Sequence, residues 1–131
     1  MIAVDTNVVV RLLVGDDAEQ AEKARSLFDT AAERRERLWI GDTVAVEIAW
    51  TLARAYGRGR EDIVRALRAL ASNATVTLES PAAVAGAIDA YERSPADFAD
   101  CLLCAKAAAA GCAGVATFDR GMRGLPGVKV L

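Results

Sequence analysis

Ile2-Ala3-Val4-Asp5 and Val115-Ala116-Thr117-Phe118-Asp119 are two short apolar runs, and each of them ends on an aspartate. Both runs read as strands. Ligands of open α/β proteins collect beyond the carboxyl ends of parallel strands. If the two strands belong to one sheet, Asp5 and Asp119 contribute to one acidic pocket although they lie 114 residues apart in the chain. The alternative is structural, because an aspartate after a strand often caps the next helix or turn.

Strand and helix patterns alternate along the chain, which favours a parallel sheet with crossover helices. No internal repeat, linker or second domain is visible, so we expect one domain over residues 1–131. The predicted strands are 2–5, 38–40, 75–78, 115–118 and 128–131. The predicted helices are 8–14, 18–37, 41–56, 61–71, 81–93 and 96–110.

Composition narrows the class of protein. Hydrophobic residues make up 53% of the 131 residues and charged residues 26%, as in ordinary folded domains. The net charge of −2 argues against binding nucleic acid by bulk charge, although a local basic rim is compatible with it. No apolar run approaches the roughly 20 residues of a membrane span, and no signal peptide is evident, so we expect a cytoplasmic protein.

The absence of histidine removes several kinds of catalysis. Ser-His-Asp and Cys-His nucleophile systems, histidine zinc sites and paired-imidazole ribonuclease chemistry are all excluded. Cys101 and Cys104 form a C-L-L-C pair inside a helix-forming run, and no second pair exists for a zinc ribbon. We therefore expect these two cysteines to pack in the core.

Glu47 stands in the apolar run Val44-Ala45-Val46-Glu47-Ile48-Ala49-Trp50, at a spacing that does not fit a capping box. Burial of an unpaired carboxylate costs several kcal/mol or forces its protonation. We expect Glu47 to be buried beside a compensating cation, either an arginine or a metal.

Asp97 and Asp100 lie three residues apart at a helix start and share roughly one helix face. Asp97 or Ser94 is the expected N-cap, so a structural role fits Asp97. Asp100 lies deeper in the helix, before Leu102-Leu103, and is the better candidate for a site.

Several carboxylates in one pocket would repel one another and raise their pKa values. A hard divalent cation resolves that conflict, and ligation by oxygen alone favours Mg²⁺ or Mn²⁺ over zinc. Such a metal can activate a water and neutralise a leaving oxygen, which points to phosphodiester hydrolysis.

The chain resembles the PIN-domain ribonucleases, specifically the VapC-type toxins of prokaryotic toxin–antitoxin pairs. Four segments in the same order carry the resemblance, over about 115 of the 131 residues. They are Val4-Asp5-Thr6-Asn7, the mid-helix Glu47, Asp97-Phe98-Ala99-Asp100, and Ala116-Thr117-Phe118-Asp119-Arg120.

The resemblance implies a three-layer α/β/α sandwich around a parallel sheet of four or five strands. It implies metal-dependent hydrolysis of RNA by an activated water. Asp5 and Asp100 then match the likeliest metal ligands, and Glu47 and Asp119 match positions that hold a second ion or orient the water. The accessory positions are Asp97, Thr6, Asn7 and Thr117.

The same resemblance implies a homodimer and a cognate VapB-type antitoxin as partners. Some relatives carry a further acid two residues after the last aspartate, where this chain has Gly121. That departure weakens the expectation of a fully occupied second metal site.

Two alternatives remain from the residues alone. One is a non-catalytic receiver-like signalling domain with an acidic pocket, although Asp16-Asp17 fall well past the first strand and Lys106 and Lys129 are poorly placed for it. The other is a nuclease of the same fold that cleaves DNA or flap structures. Arg11, Arg120 and Arg123 are candidate phosphate contacts in either nuclease.

Overall fold

The computed structural model describes residues 1–131 and contains six α-helices and five short strands. The chain divides into two compact units, Met1–Ser80 and Pro81–Leu131. Each unit has its own parallel strand pairs and its own packed helices, and each is described by itself.

The first unit holds a three-stranded parallel sheet in the order β1-β2-β3. Ile2 pairs with Leu38, and Leu38 pairs with Val76. The helices that follow the strands bury one apolar face each, and Val9, Ile48 and Ile63 are almost fully inaccessible. The elements are β1 (Ile2–Ala3), α1 (Thr6–Val14), α2 (Ala18–Glu33), β2 (Leu38–Ile40), α3 (Asp42–Arg54), α4 (Arg60–Ser72) and β3 (Val76–Leu78).

The second unit pairs two parallel strands and packs two helices against each other. Tyr91 and Phe98 meet edge to face, with ring centroids 5.9 Å apart, and Ile88 and Cys101 complete the buried seam. The elements are α5 (Pro81–Arg93), α6 (Phe98–Ala109), β4 (Val115–Thr117), a 3₁₀ turn (Arg120–Met122) and β5 (Val128–Val130).

The sequence-based expectation of an α/β fold with parallel strands is confirmed. Six helices and parallel strands are consistent with a three-layer α/β/α sandwich. All five expected strands are present, and their hydrogen bonds join them as three plus two.

The other predicted boundaries lie within two residues of those in the structure, but the predicted end of helix α2 is wrong. Helix α2 ends at Glu33 rather than at residue 37. Arg35 adopts a left-handed backbone with φ of 57°, which breaks the helix. Arg37 then leaves the helix end and donates to Thr77 Oγ1 and to the carbonyl of Val76, both at 2.9 Å. Its side chain therefore ties the start of β2 to β3.

Helix α3 has no side chain of its own at the N-cap, because the residue there is Gly41. Glu79, directly after β3, supplies the missing acceptor: its Oε1 accepts from the backbone N–H of Asp42 at 2.9 Å. A Cβ on Gly41 would lie 3.0 Å from the ring of Trp39, so the position favours glycine. The cap of α3 thus comes from a residue 37 positions away.

We expect Glu79→Ala to lower the free energy of unfolding by about 1 kcal/mol, the usual cost of losing an N-cap acceptor. Urea denaturation measures this change. Glu36→Ala is the matched control, because Glu36 is exposed and accepts no side-chain hydrogen bond. Equal stability of the two variants would contradict the capping role.

None of the six helices is long and apolar enough to cross a membrane.

Candidate active site

Asp5 lies just past the carboxyl end of β1 and caps α1. Its Oδ1 accepts from the backbone N–H of Thr6 at 2.8 Å. The prediction that Asp5 caps a helix is therefore confirmed, and the cap uses only one of its carboxylate oxygens. Oδ2 accepts no hydrogen bond and is available to a ligand.

Thr6 is the one polar residue that the fold buries, with 8% of its surface exposed. Its hydroxyl donates to Oε2 of Glu47 at 2.6 Å, across 41 residues of sequence. Its backbone N–H donates to Asp5 at the same time. A single residue therefore holds two of the expected acids, Asp5 and Glu47, at fixed positions in the first unit.

The expectation that Glu47 is buried is wrong, and so is the alternative that an arginine pairs with it. Glu47 is exposed, because α3 turns Ala45, Ile48 and Leu52 inwards and leaves Glu47 on the other face. Its partner is the hydroxyl of Thr6, and no arginine pairs with it. Its buried neighbours in sequence, Ala45, Ile48 and Ala49, thus belong to the opposite face of the helix, whereas Trp50 is 63% exposed.

A groove of about 310 Å³ lies beside these acids in the first unit. Asp5, Thr6 and Glu47 line it together with Asn7, the accessory polar position, and Arg11 is the cation in its wall. The remaining lining comes from Val10, Thr51, Ala55 and Tyr56.

Arg11 belongs to a hydrogen-bonded group with Asp16 and Tyr56. Its Nη1 donates to Asp16 at 3.0 Å and to the Tyr56 hydroxyl at 2.8 Å, and that hydroxyl donates to Asp16 at 2.8 Å. The hydrogen bond from Tyr56 is the largest cause that lowers the pKa of Asp16, followed by the attraction of Arg11. Asp16 and Tyr56 lie 40 residues apart, so no local sequence pattern indicates this contact and only the fold joins the two residues.

The second unit gathers Asp97, Asp100 and Asp119. Burial raises the pKa of the Asp100 carboxyl, and the negative charges of Asp97 and Asp119 raise it further. Asp97 is the N-cap of α6, as expected, but its side chain makes no capping hydrogen bond. The charges of Asp97 and Asp119 therefore act on Asp100, and none of the three carboxylates forms an ion pair with a cation.

Asp119 lies just after β4 and repeats the arrangement of Asp5. Its Oδ1 accepts from the backbone N–H of Gly121 at 2.7 Å and caps the 3₁₀ turn. Its own N–H donates to the hydroxyl of Thr117 at 3.0 Å. A Cβ on Gly121 would lie 3.0 Å from Asp119 Oδ1, so the glycine that replaces the further acid also makes room for the cap.

None of the three cysteines forms a disulfide. Cys101 is 1% exposed, which confirms the core-packing prediction for that residue. Cys104 is only partly buried, and burial together with the charge of Asp100 raises the pKa of its thiol. A raised thiol pKa suppresses the thiolate of Cys104, and Cys101 is buried in the core, so neither residue is set up as a nucleophile.

The donor chemistry of these residues fits a hard divalent cation. Asp5 and Glu47 each keep one oxygen without a hydrogen bond, and the mutual repulsion around Asp100 is of the kind that a cation relieves. In neither unit do three or more acidic or thiol side chains already stand close enough together to hold a metal. The acids fit the ion by type.

Comparison with known proteins assigns the family. Residues 2–128 match the PIN domain. The chain belongs to the PIN domain family. It is also 27% identical over 125 residues to the VapC ribonuclease of Aquifex aeolicus (strain VF5), an alignment that covers 95% of this chain and 92% of that protein. No solved structure matches it.

The expected PIN-domain acids thus form two groups. The structure brings Asp5, Thr6 and Glu47 together in the first unit, and Asp97, Asp100 and Asp119 interact electrostatically in the second.

We expect Thr6→Val to cost about 1 kcal/mol of unfolding free energy, because valine keeps the shape but loses the hydrogen bond to Glu47. Urea denaturation of a double-mutant cycle with Glu47→Ala isolates this bond. In the Glu47→Ala background, Thr6→Val should lower the free energy of unfolding much less than it does in the wild-type chain. An equal cost in both backgrounds would show that the Thr6 hydroxyl does not act through Glu47.

We expect Asp100→Asn to raise the thermal midpoint of the PIN domain at neutral pH in a chelator. A group whose folded pKa is raised above its unfolded value destabilises the fold once it ionises, so the gain should shrink as the pH falls towards the ordinary value of 3.8. Asp29→Asn is the control, since Asp29 is exposed and unpaired. A midpoint that falls, or a gain that does not depend on pH, would contradict the repulsion.

Proposed function

We propose that this PIN domain is a Mg²⁺- or Mn²⁺-dependent endoribonuclease, the toxin component of a toxin–antitoxin pair, which hydrolyses RNA phosphodiester bonds. The observation that carries the proposal is the Asp5–Thr6–Glu47 arrangement beside a groove, in a member of the PIN family. A relative named VapC ribonuclease supports RNA as the substrate. Family membership also speaks against the receiver-like alternative.

Asp5 and Asp100 are proposed as direct metal ligands, and Glu47 and Asp119 as acids that hold a second ion or orient water. The accessory residues are Asp97, Thr6, Asn7 and Thr117. When bound, the metal would neutralise charge on the phosphodiester and make the attacking water more acidic.

The chain's own side chains perform the positioning. The Thr6 hydroxyl occupies Oε2 of Glu47, so Oε1 remains to accept a hydrogen bond from water. Capping likewise fixes Asp5 and Asp119 through one oxygen each and leaves the other oxygen for a ligand. Positions set before the ligand arrives cost little reorganisation during the reaction.

The proposed partners are a second copy of the chain and a cognate VapB-type antitoxin, in the cytoplasm. The named relative supports an antitoxin. The homodimer rests on resemblance to VapC-type toxins.

The test is cleavage of a labelled RNA by the full chain with Mg²⁺ or Mn²⁺. We expect Asp5→Asn, Glu47→Gln, Asp100→Asn and Asp119→Asn each to lose at least about 100-fold in rate, since loss of even an indirect metal contact costs 10–100-fold. Asp29→Asn is the control. If Asp5 and Asp100 serve the same step, the Asp5→Asn/Asp100→Asn double variant should be little slower than the slower of the two single variants.

Metal-dependent cleavage by Asp5→Asn at the wild-type rate would refute the proposal. A single-stranded DNA of the same sequence, run in parallel, decides between RNA and the DNA alternative, because cleavage of DNA alone would overturn the substrate assignment.

A further inference from the structure

Arg11 stands between two grooves of opposite character in the first unit. The groove beside Asp5 and Glu47 carries both of these carboxylates in its wall. A second groove of about 380 Å³ shares Asn7 and Arg11 with it and contains no carboxylate in its lining. It adds Lys23, whose ammonium is ion-paired with Glu19 at 3.1 Å. Arg11 therefore lies between a groove with two carboxylates in its wall and a groove with none.

The guanidinium of Arg11 is held in one orientation. Nε donates to Gln20 at 2.7 Å, and Nη1 donates to Asp16 and Tyr56. Nη2 donates to nothing in the chain, so two of the five N–H groups of this side chain remain for a ligand.

The chemistry of the two grooves selects the ligand. A nucleic-acid strand with a phosphodiester next to Asp5 and Glu47 must place its adjoining phosphates away from those carboxylates. The acid-free groove with Arg11 and Lys23 is the neighbouring place that suits an anion. The two free N–H groups are both on Nη2 and diverge from each other, so this guanidinium can donate one of them to a phosphate oxygen and the other to a second acceptor.

We propose that Arg11, oriented by Tyr56, Asp16 and Gln20, binds a backbone phosphate of RNA that adjoins the bond to be cleaved. This subsite rests on the proposed ribonuclease function for its substrate. It does not rest on the metal, because Arg11 contacts the phosphate directly.

The test is equilibrium binding of a fluorescently labelled, single-stranded RNA of mixed sequence in a chelator, where cleavage does not occur, at a series of salt concentrations. One lost phosphate contact lowers the slope of log affinity against log salt by about 0.7 for a single strand. We expect Arg11→Gln to show that change and roughly tenfold weaker binding at low salt. Arg25→Gln is the matched control, because Arg25 is also ion-paired, with Glu22, on the exposed side of α2.

Asp16→Asn separates binding from folding. If Arg11 serves only to hold the helices together, loss of its ion-pair partner lowers stability and leaves RNA affinity unchanged. We expect instead tighter RNA binding than in Asp29→Asn, which changes the net charge equally, because the positive charge of Arg11 is then less neutralised.

Equal salt slopes for Arg11→Gln and Arg25→Gln, or no RNA binding by the wild-type chain, would overturn the subsite. The subsite is also overturned if Arg11→Gln removes binding of a polyglutamate peptide but leaves RNA binding unchanged. The groove would then recognise an acidic protein. If Arg11→Gln and Arg25→Gln have equal salt slopes while the wild-type chain cleaves RNA, the subsite is refuted and the hydrolytic function stands. Arg11-dependent binding without any metal-dependent cleavage refutes the hydrolytic function and leaves the subsite standing.

Discussion

The hydrogen bond from the Thr6 hydroxyl to Glu47 is the interaction on which the candidate site of the first unit depends. Thr6 is the first residue of α1, and its side chain is buried against a helix that begins 36 residues later. Because its backbone N–H also binds Asp5, the same residue fixes one acid by local geometry and another by tertiary contact. A buried hydroxyl needs a partner, and here that need orients a carboxylate.

Capping and ligand binding share the same aspartates in this PIN domain. Asp5 and Asp119 each follow a parallel strand, and each gives one oxygen to a backbone N–H at the start of the next turn. A carboxylate has two oxygens, so the cap holds the group in place without exhausting it. The structural and the functional readings of these residues, which compete at the level of sequence, are therefore compatible in the fold.

Charge balance differs between the two units. In the first, Arg11 and Tyr56 hold Asp16 in its ionised form and lower its pKa. In the second, burial raises the pKa of Asp100, and the negative charges of Asp97 and Asp119 raise it further. Favourable pairing stabilises a fold, whereas uncompensated repulsion of this kind is typical of sites that await a cation. The contrast favours a structural role for Asp16 and a functional one for Asp100.

Periodicity and strand-end position in the sequence determined the α/β class, most element boundaries and the candidate acids, because these patterns are local. Only the tertiary structure decided that Glu47 faces outward, that Thr6 is its partner, that Glu79 caps α3, and that Arg11 meets Tyr56. The three hydrogen bonds among these observations join residues that lie 37 to 45 positions apart in the chain. A helix pattern shows which residues share a face, but the direction of that face depends on what the rest of the chain packs against it.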